Sequence, residues 1–324
     1  MTLFRSFLLM AFCLSAFKLF TQTDYQENLN KLNQTEDSIE RLALMRILCN
    51  TLPLDSAELA VRLSKEAIAI CKSNDLPQEQ AFYHLRSGKY LLNTSQPNEA
   101  VLQFDTLLSL GKKHKLSVET AKGYHLQAFA SMRFGKYKEA KAYLDSCLNI
   151  LEINGGPIDL QYRSLFVLGR IQHKEGDYEK AVTTLNKVLE GENIDDFTKG
   201  QVISEIGDAH IGLGLYEKAI EYQLKSVSIF EEIGNSRELS NILAGLGATY
   251  IYLKQEDKAI EYFNKSLSIQ ESGNNVMGAI YSHINIASAE IQRANYSIAM
   301  THLQKSLELT EQLGNEAALS TIKI

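Results

Sequence analysis

The residues of this chain that could do chemistry are cations and aromatics that return in groups. They are Arg86 and Lys89; Lys122, His125, Phe129, Met132 and Arg133; and Arg163, Phe166, Arg170, His173 and Lys174. Guanidinium and ammonium groups hold carboxylates through charge-assisted hydrogen bonds, and the interleaved rings add apolar contact. Further along, the equivalent places hold mostly neutral residues: Gln201, Ser204, Glu205 and Asp208; Asn241, Ala244 and Tyr252; then Tyr281, Asn285, Ser288 and Gln292. Side chains that both donate and accept suit a peptide backbone. The pattern fits an extended segment with one acidic end, seated near Lys122, Arg163 and Arg170. Catalysis has no comparable support. The seven histidines stand singly, without HExxH or paired Cys/His spacing, and there is no phosphate-cradling GxxxxGK[ST] or nucleophile elbow. No catalytic residue, metal or cofactor is expected.

The elements that must position these groups repeat. Ala60, Ala100, Ala140, Ala181, Ala219, Ala259 and Ala299 are spaced 40, 40, 41, 38, 40 and 40 residues apart. Twelve residues before six of these alanines stand Gly88, Ala128, Gly169, Gly207, Gly247 and Ala287; seven after stand Ala67, Leu107, Cys147, Val188, Ser226, Ser266 and Ser306. Small residues where antiparallel helices cross let the backbones approach. Four after the alanines, Phe104, Leu144, Leu185, Phe263 and Leu303 supply a larger knob. Tyr137, Tyr178, Tyr216 and Tyr296 open second helices. The period predicts one helical hairpin copied seven times, a solenoid in which each unit covers its neighbour's apolar face.

The sequence AGLGATYIYLKQEDKAIEYFNKSLSI, with Leu246, Gly247, Tyr250, Ala259, Phe263 and Ser266 in place, resembles the tetratricopeptide repeat (TPR) family, as does the chain from about Leu42 to Gly314. The resemblance implies an all-α, right-handed superhelical solenoid of about seven hairpins. It also implies a concave groove, lined by the first helix of each hairpin, that binds protein or peptide. There is no Trp, Gln223 replaces an expected aromatic, and Leu48 stands where the first copy wants glycine. The family's standard repeat has about 34 residues. The longer period here gives helices of about 17 residues, roughly 26 Å each. Lys89 and Phe129 stand where the family's two-carboxylate clamp wants Asn, so a chaperone-tail function does not carry over.

Punctuation agrees. Gly155, Gly234, Gly273 and Gly314 follow predicted helices as left-handed caps, and Pro53, Pro77, Pro97 and Pro157 fall between helices. The consensus hairpin runs from about Pro77 to Thr94 and Pro97 to Lys113. With 45% hydrophobic and 22% charged residues the composition is that of an ordered protein, and a net charge of -6 argues against general nucleic-acid binding.

Residues 1–23 read as a secretory signal or an amino-terminal anchor. Arg5 precedes a mostly apolar run from Phe7 to Phe17, while Lys18 and Phe20 weaken the cleavage site. Export to the periplasm is expected, with membrane anchoring by residues 4–20 as the alternative. Cleavage would remove Arg5 and Lys18 and take the charge from -6 to -8. It would leave Cys49, Cys71 and Cys147, of which Cys147 occupies a small packing position; pairing of Cys49 with Cys71 stays open.

Residues 24–76 form an amino-terminal segment and a degenerate first repeat, 77–314 hold six hairpins, and 315–324 begin an incomplete eighth. That end, with Ala317, Leu319, Ile322 and Ile324, is expected to be uncapped and able to self-associate. The expected function is a non-enzymatic scaffold for protein or peptide, acidic in part. The binding residues are Arg86, Lys89, Lys122, His125, Phe129, Arg133, Arg163, Phe166, Arg170, Lys174, Asn241, Tyr281 and Asn285. The alternative is a truncated or free-standing sensor ectodomain, because exported arrays of this type resemble the sensor portion of bacterial two-component kinases.

Overall fold

The computed structural model describes residues 22–52, 56–94 and 96–314. The segment read as a signal, Cys13 included, lies outside them up to residue 21, as do Pro53 and the stub after Gly314. Among the described residues there are fifteen helices and no strand. None of these helices is long and apolar enough to cross a membrane. The helices fall into two compact units that divide between Val167 and Leu168.

The first unit holds α1 (Gln22–Gln34), α2 (Ser38–Thr51), α3 (Ala57–Ser73), α4 (Pro77–Leu92), α5 (Pro97–Lys113), α6 (Ser117–Arg133) and α7 (Tyr137–Asn154). It also holds the start of α8 (Ile158–Lys174). The second unit takes the rest of α8, with α9 (Tyr178–Leu189), α10 (Asp196–Gly212), α11 (Tyr216–Glu232), α12 (Ser236–Tyr252), α13 (Glu256–Ser272), α14 (Val276–Gln292) and α15 (Tyr296–Leu313). Each anchor alanine is buried in the second helix of its hairpin. Pro77 and Pro97 sit in the first turn of α4 and α5, where a missing amide donor leaves nothing unsatisfied.

Within a hairpin the helices interlock at the positions the repeat marks. A Cβ on Gly88 would lie 2.3 Å from Phe104 Cε1, and one on Gly169 2.6 Å from Leu185 Cγ. The glycines are therefore holes shaped for the ring or leucine sixteen residues on. In the first hairpin the order is reversed: Leu48 fills the glycine place, the small Ser64 faces it in register, and both are buried. The small residue seven after the alanine does more than give clearance where it is serine. Ser226 donates to the Gly200 carbonyl at 2.7 Å, Ser266 to Ser240 at 2.7 Å and Ser306 to Ile280 at 3.3 Å. Each bond ties the second helix of a hairpin to the first.

Successive hairpins of the second unit meet through the opening tyrosines. Tyr178 lies so close to Gly212 that a Cβ there would be 2.3 Å from its Cε1, and Tyr216 stacks on Tyr252 with ring centroids 5.3 Å apart. In the first unit the tie is a hydroxyl: Tyr83 donates to the Leu42 carbonyl and Tyr90 to Leu52, both at 2.7 Å.

The turns follow the register more strictly than residue type would suggest. The residue fifteen after the alanine has positive φ in Asp75, Lys115, Gly155, Gly234, Asn274 and Gly314. Gly273, read as a left-handed cap, instead has φ -88°, because Asn274 occupies the register position. The first helix of the second hairpin ends at Leu92, two residues before Thr94, and α9 has 12 residues where its neighbours have 17. Cys49, Cys71 and Cys147 are free and buried. Cys147 fills its packing position, with its thiol 3.4 Å from Ser164 Oγ.

Candidate functional site

Four cations of the first unit, Arg86 and Lys89 on α4, Lys122 on α6 and Arg163 on α8, lie close enough to feel one another's charge. A cavity of about 380 Å³ is lined by Leu52, Arg86, Lys89, Tyr90, Leu92, Asn93, His125, Leu126 and Phe129. The half-buried Lys89 is its central charge. Its ammonium makes no ion pair or side-chain hydrogen bond among the described residues. Burial first, and then the positive fields of Arg86, Arg163 and Lys122, push it down to about 8, against the opposing charge of Asp159. A cation held among cations, without a counterion, is a place where an arriving anion gains more than at an ordinary surface lysine.

Its neighbours are only loosely neutralised. Lys122 stands 3.7 Å from Glu119 and Arg163 3.6 Å from Asp159, both within one helix and partly in water, where such pairs contribute little. His125 is held neutral, pushed down by burial and then by Lys89 and Arg163. Its Nδ1 lies 3.0 Å from Ser164 Oγ, whose own hydroxyl donates to the Leu160 carbonyl at 2.8 Å. Ser164 thus accepts from Nδ1–H, leaving Nε2 as an acceptor for an N–H group. Phe129 is half-buried against the Phe104 and Leu107 cluster and gives the cavity its apolar wall.

Two of the expected ligand-binding arginines are engaged in the fold. Arg86 donates from Nε to the Cys49 carbonyl at 2.7 Å, with Nη2 on the same oxygen, and Arg133 donates from Nη1 to the Leu92 carbonyl at 2.8 Å. Each caps the carboxyl end of the preceding hairpin's first helix, where cations are favoured. Sequence reasoning missed this role, because the acceptors are backbone oxygens. Phe166 is half-buried in the same unit.

The remaining expected residues belong to the second unit. Arg170 Nε lies 3.3 Å from Glu205, and His173 Nδ1 lies 2.7 Å from the other oxygen of the same carboxylate. Arg170 therefore has a local counterion, unlike Lys89. Lys174, Asn241 and Tyr281 are exposed and Asn285 is half-buried. Beside Glu205, burial and then the Glu205 charge push Asp208 up to about 6. The buried Gln223 donates to Asp208 at 3.4 Å and accepts from Thr249 at 3.0 Å. Gln223, which breaks the aromatic pattern, is thus the centre of a buried polar chain.

A family model described as tetratricopeptide repeat matches residues 119–191 and 200–272. A comparison with curated proteins returns no match. Among solved structures, the chain is similar to aspartyl phosphate phosphatase F from Bacillus subtilis. That likeness has 15% identity and a TM-score of 0.61, covering 94% of this chain and 79% of the other. It is similar to a Rap protein complexed with competence and sporulation factor, at 13% identity and TM-score 0.64, covering 92% and 80%. It also resembles a signal transduction ATPase with a tetratricopeptide repeat sensor from Pyrococcus horikoshii. There the identity is 18% and the TM-score 0.60, over 94% of this chain and 49% of that one. At these identities the likeness shows the fold alone.

Proposed function

Since the chain is a tetratricopeptide-repeat protein, we propose that it is a non-enzymatic scaffold whose first unit captures an acidic, extended segment of a partner protein. The observation that carries this reading is Lys89, an unpaired half-buried ammonium facing a cavity and surrounded by Arg86, Lys122 and Arg163. A carboxylate seated there meets Lys89, while the adjacent backbone N–H finds His125 Nε2 and apolar parts rest on Phe129. The apolar run from Phe7 to Phe17 supports delivery of the scaffold beyond the inner membrane of a bacterium.

The test is fluorescence anisotropy with a labelled peptide of alternating Asp and aliphatic residues, using the intact chain and its Lys89→Met, Lys122→Glu and Arg163→Glu variants. A charged hydrogen bond contributes about 1.5–3 kcal/mol, so loss of Lys89 should weaken binding by roughly 10- to 100-fold. Helicity should be unchanged. Equal affinity in all four proteins would sink the assignment.

A further inference from the structure

In three hairpins the residues sixteen before and three after the anchor alanine meet side chain to side chain. In the second hairpin His84 Nδ1 pairs with Gln103 Oε1 at 2.8 Å, and in the third Tyr124 packs against Tyr143 with centroids 6.1 Å apart. The seventh holds two imidazoles, His283 on α14 and His302 on α15, with their Nδ1 atoms 2.9 Å apart. The rings are tilted by 47°, so neither stacks on the other and the contact is between the two Nδ1 atoms. The pair lines a surface depression of about 480 Å³, whose other walls include Met300, Gln304 and Glu308.

We propose that His283 and His302 form a bidentate site for a divalent late transition-metal ion, copper(II) above the others. Two nitrogens bound at about 2.0 Å in neighbouring corners of a square lie about 2.8 Å apart, close to the observed separation, whereas a tetrahedral ion spreads them to about 3.3 Å. Square coordination is the preference of copper(II) and nickel(II), and copper binds the tighter of the two. The proton that lies between the two Nδ1 atoms moves to Nε2 of the ring that held it, so both imidazoles stay neutral and each Nδ1 gives its lone pair to the ion. No third His, Cys, Asp or Glu completes a cluster among the described residues. Water therefore fills the remaining positions, and the bound ion is exchangeable. The fields of Glu271 and Glu290 favour a cation here, and Lys305, 3.4 Å from Glu308, opposes it. This site is separate from the acidic-segment cavity of the first unit and does not depend on it.

The test uses the intact, tag-free chain titrated with copper(II) sulfate by calorimetry and electron paramagnetic resonance. One tight equivalent should appear, with superhyperfine structure from two imidazole nitrogens. In His302→Gln, which recreates the His84–Gln103 pairing and keeps the hydrogen bond, affinity should fall by at least about tenfold. A copper spectrum showing one nitrogen, no binding at all, or an affinity unchanged in His302→Gln overturns the proposal. Should that variant misfold, wild-type NMR decides: copper must broaden the ring protons of His283 and His302 before those of the other histidines, and broadening elsewhere first overturns it.

Discussion

Phe263 points its ring into the space where Gly247 has no side chain: a Cβ on Gly247 would lie 2.5 Å from Phe263 Cε1. The two residues set how closely α12 and α13 approach. Gly247→Ala should therefore overpack the crossing and lower stability by about 1–3 kcal/mol, measured by urea denaturation. Adding Phe263→Leu should recover part of the loss, because Ala128 with Leu144 is a pairing that the third hairpin already uses. If the double variant is no more stable than the single one, the crossing is limited by other contacts.

Lys89 carries a stability cost that its binding role explains. An unfolded lysine titrates near 10.5 and the folded one at about 8, so between these values the unfolded chain holds the extra proton. The cost is fully present below about pH 8 and disappears above 10.5. Lys89→Met should stabilise the protein at pH 7 by on the order of 1–3 kcal/mol while weakening the acidic peptide. A thermal-shift series beside the anisotropy measurement checks both directions.

The same ammonium sets a pH limit on binding. A bound carboxylate favours the charged lysine, so affinity should be level below pH 8 and fall by up to about tenfold per pH unit above it. In Lys89→Met that decline should vanish. A wild-type affinity that is level to pH 10 would remove Lys89 from the site.

Asp208 works in the opposite range. Its folded value of about 6 lies above the 3.8 of a free aspartate, so the folded chain holds the extra proton between them. The stability this gives is complete below about pH 4 and is lost as pH rises through 6. Asp208→Asn keeps an oxygen for the Gln223 amide and removes the buried charge. It should add on the order of 1–3 kcal/mol at pH 7 and flatten the pH dependence between 4 and 6. Denaturation at about pH 5 and pH 7 distinguishes the two proteins.

Two turns can be improved. Lys254 and Ala294 adopt φ of 55° and 61° at the register place that Gly135, Gly176 and Gly214 fill in earlier hairpins. A Cβ there is strained, so Lys254→Gly and Ala294→Gly should each raise stability by about 0.5–1 kcal/mol in thermal denaturation. A loss in both would show that chain entropy outweighs the strain.

Most of the fold was legible because the period fixes it. Knowing the anchor alanines is enough to place Gly88 against Phe104 and to start helices at Tyr137, Tyr178, Tyr216 and Tyr296. Residue type misled where register ruled, as when Asn274 and not Gly273 took the left-handed turn. The candidate site was legible only as composition. Arg86 and Lys89 look alike in the sequence, yet one caps Cys49 and the other has no counterion, a difference made by a backbone oxygen 37 residues away. Arg170 is equivalent to both in the sequence, yet Glu205 meets it. His283 and His302 are 19 residues apart and share no motif; only the packing of the hairpin joins them.

The serine bonds of the last three hairpins each span 26 residues, and the Arg86 and Arg133 caps span 37 and 41. None reaches farther than the next copy of the repeat. A forty-residue block thus carries every partner it needs, either within itself or in an adjacent block of the same design. Unequal recombination can lengthen or shorten such a chain by whole hairpins while leaving each surviving bond its original partner. The surface offered to a ligand can then evolve by copy number as readily as by point mutation.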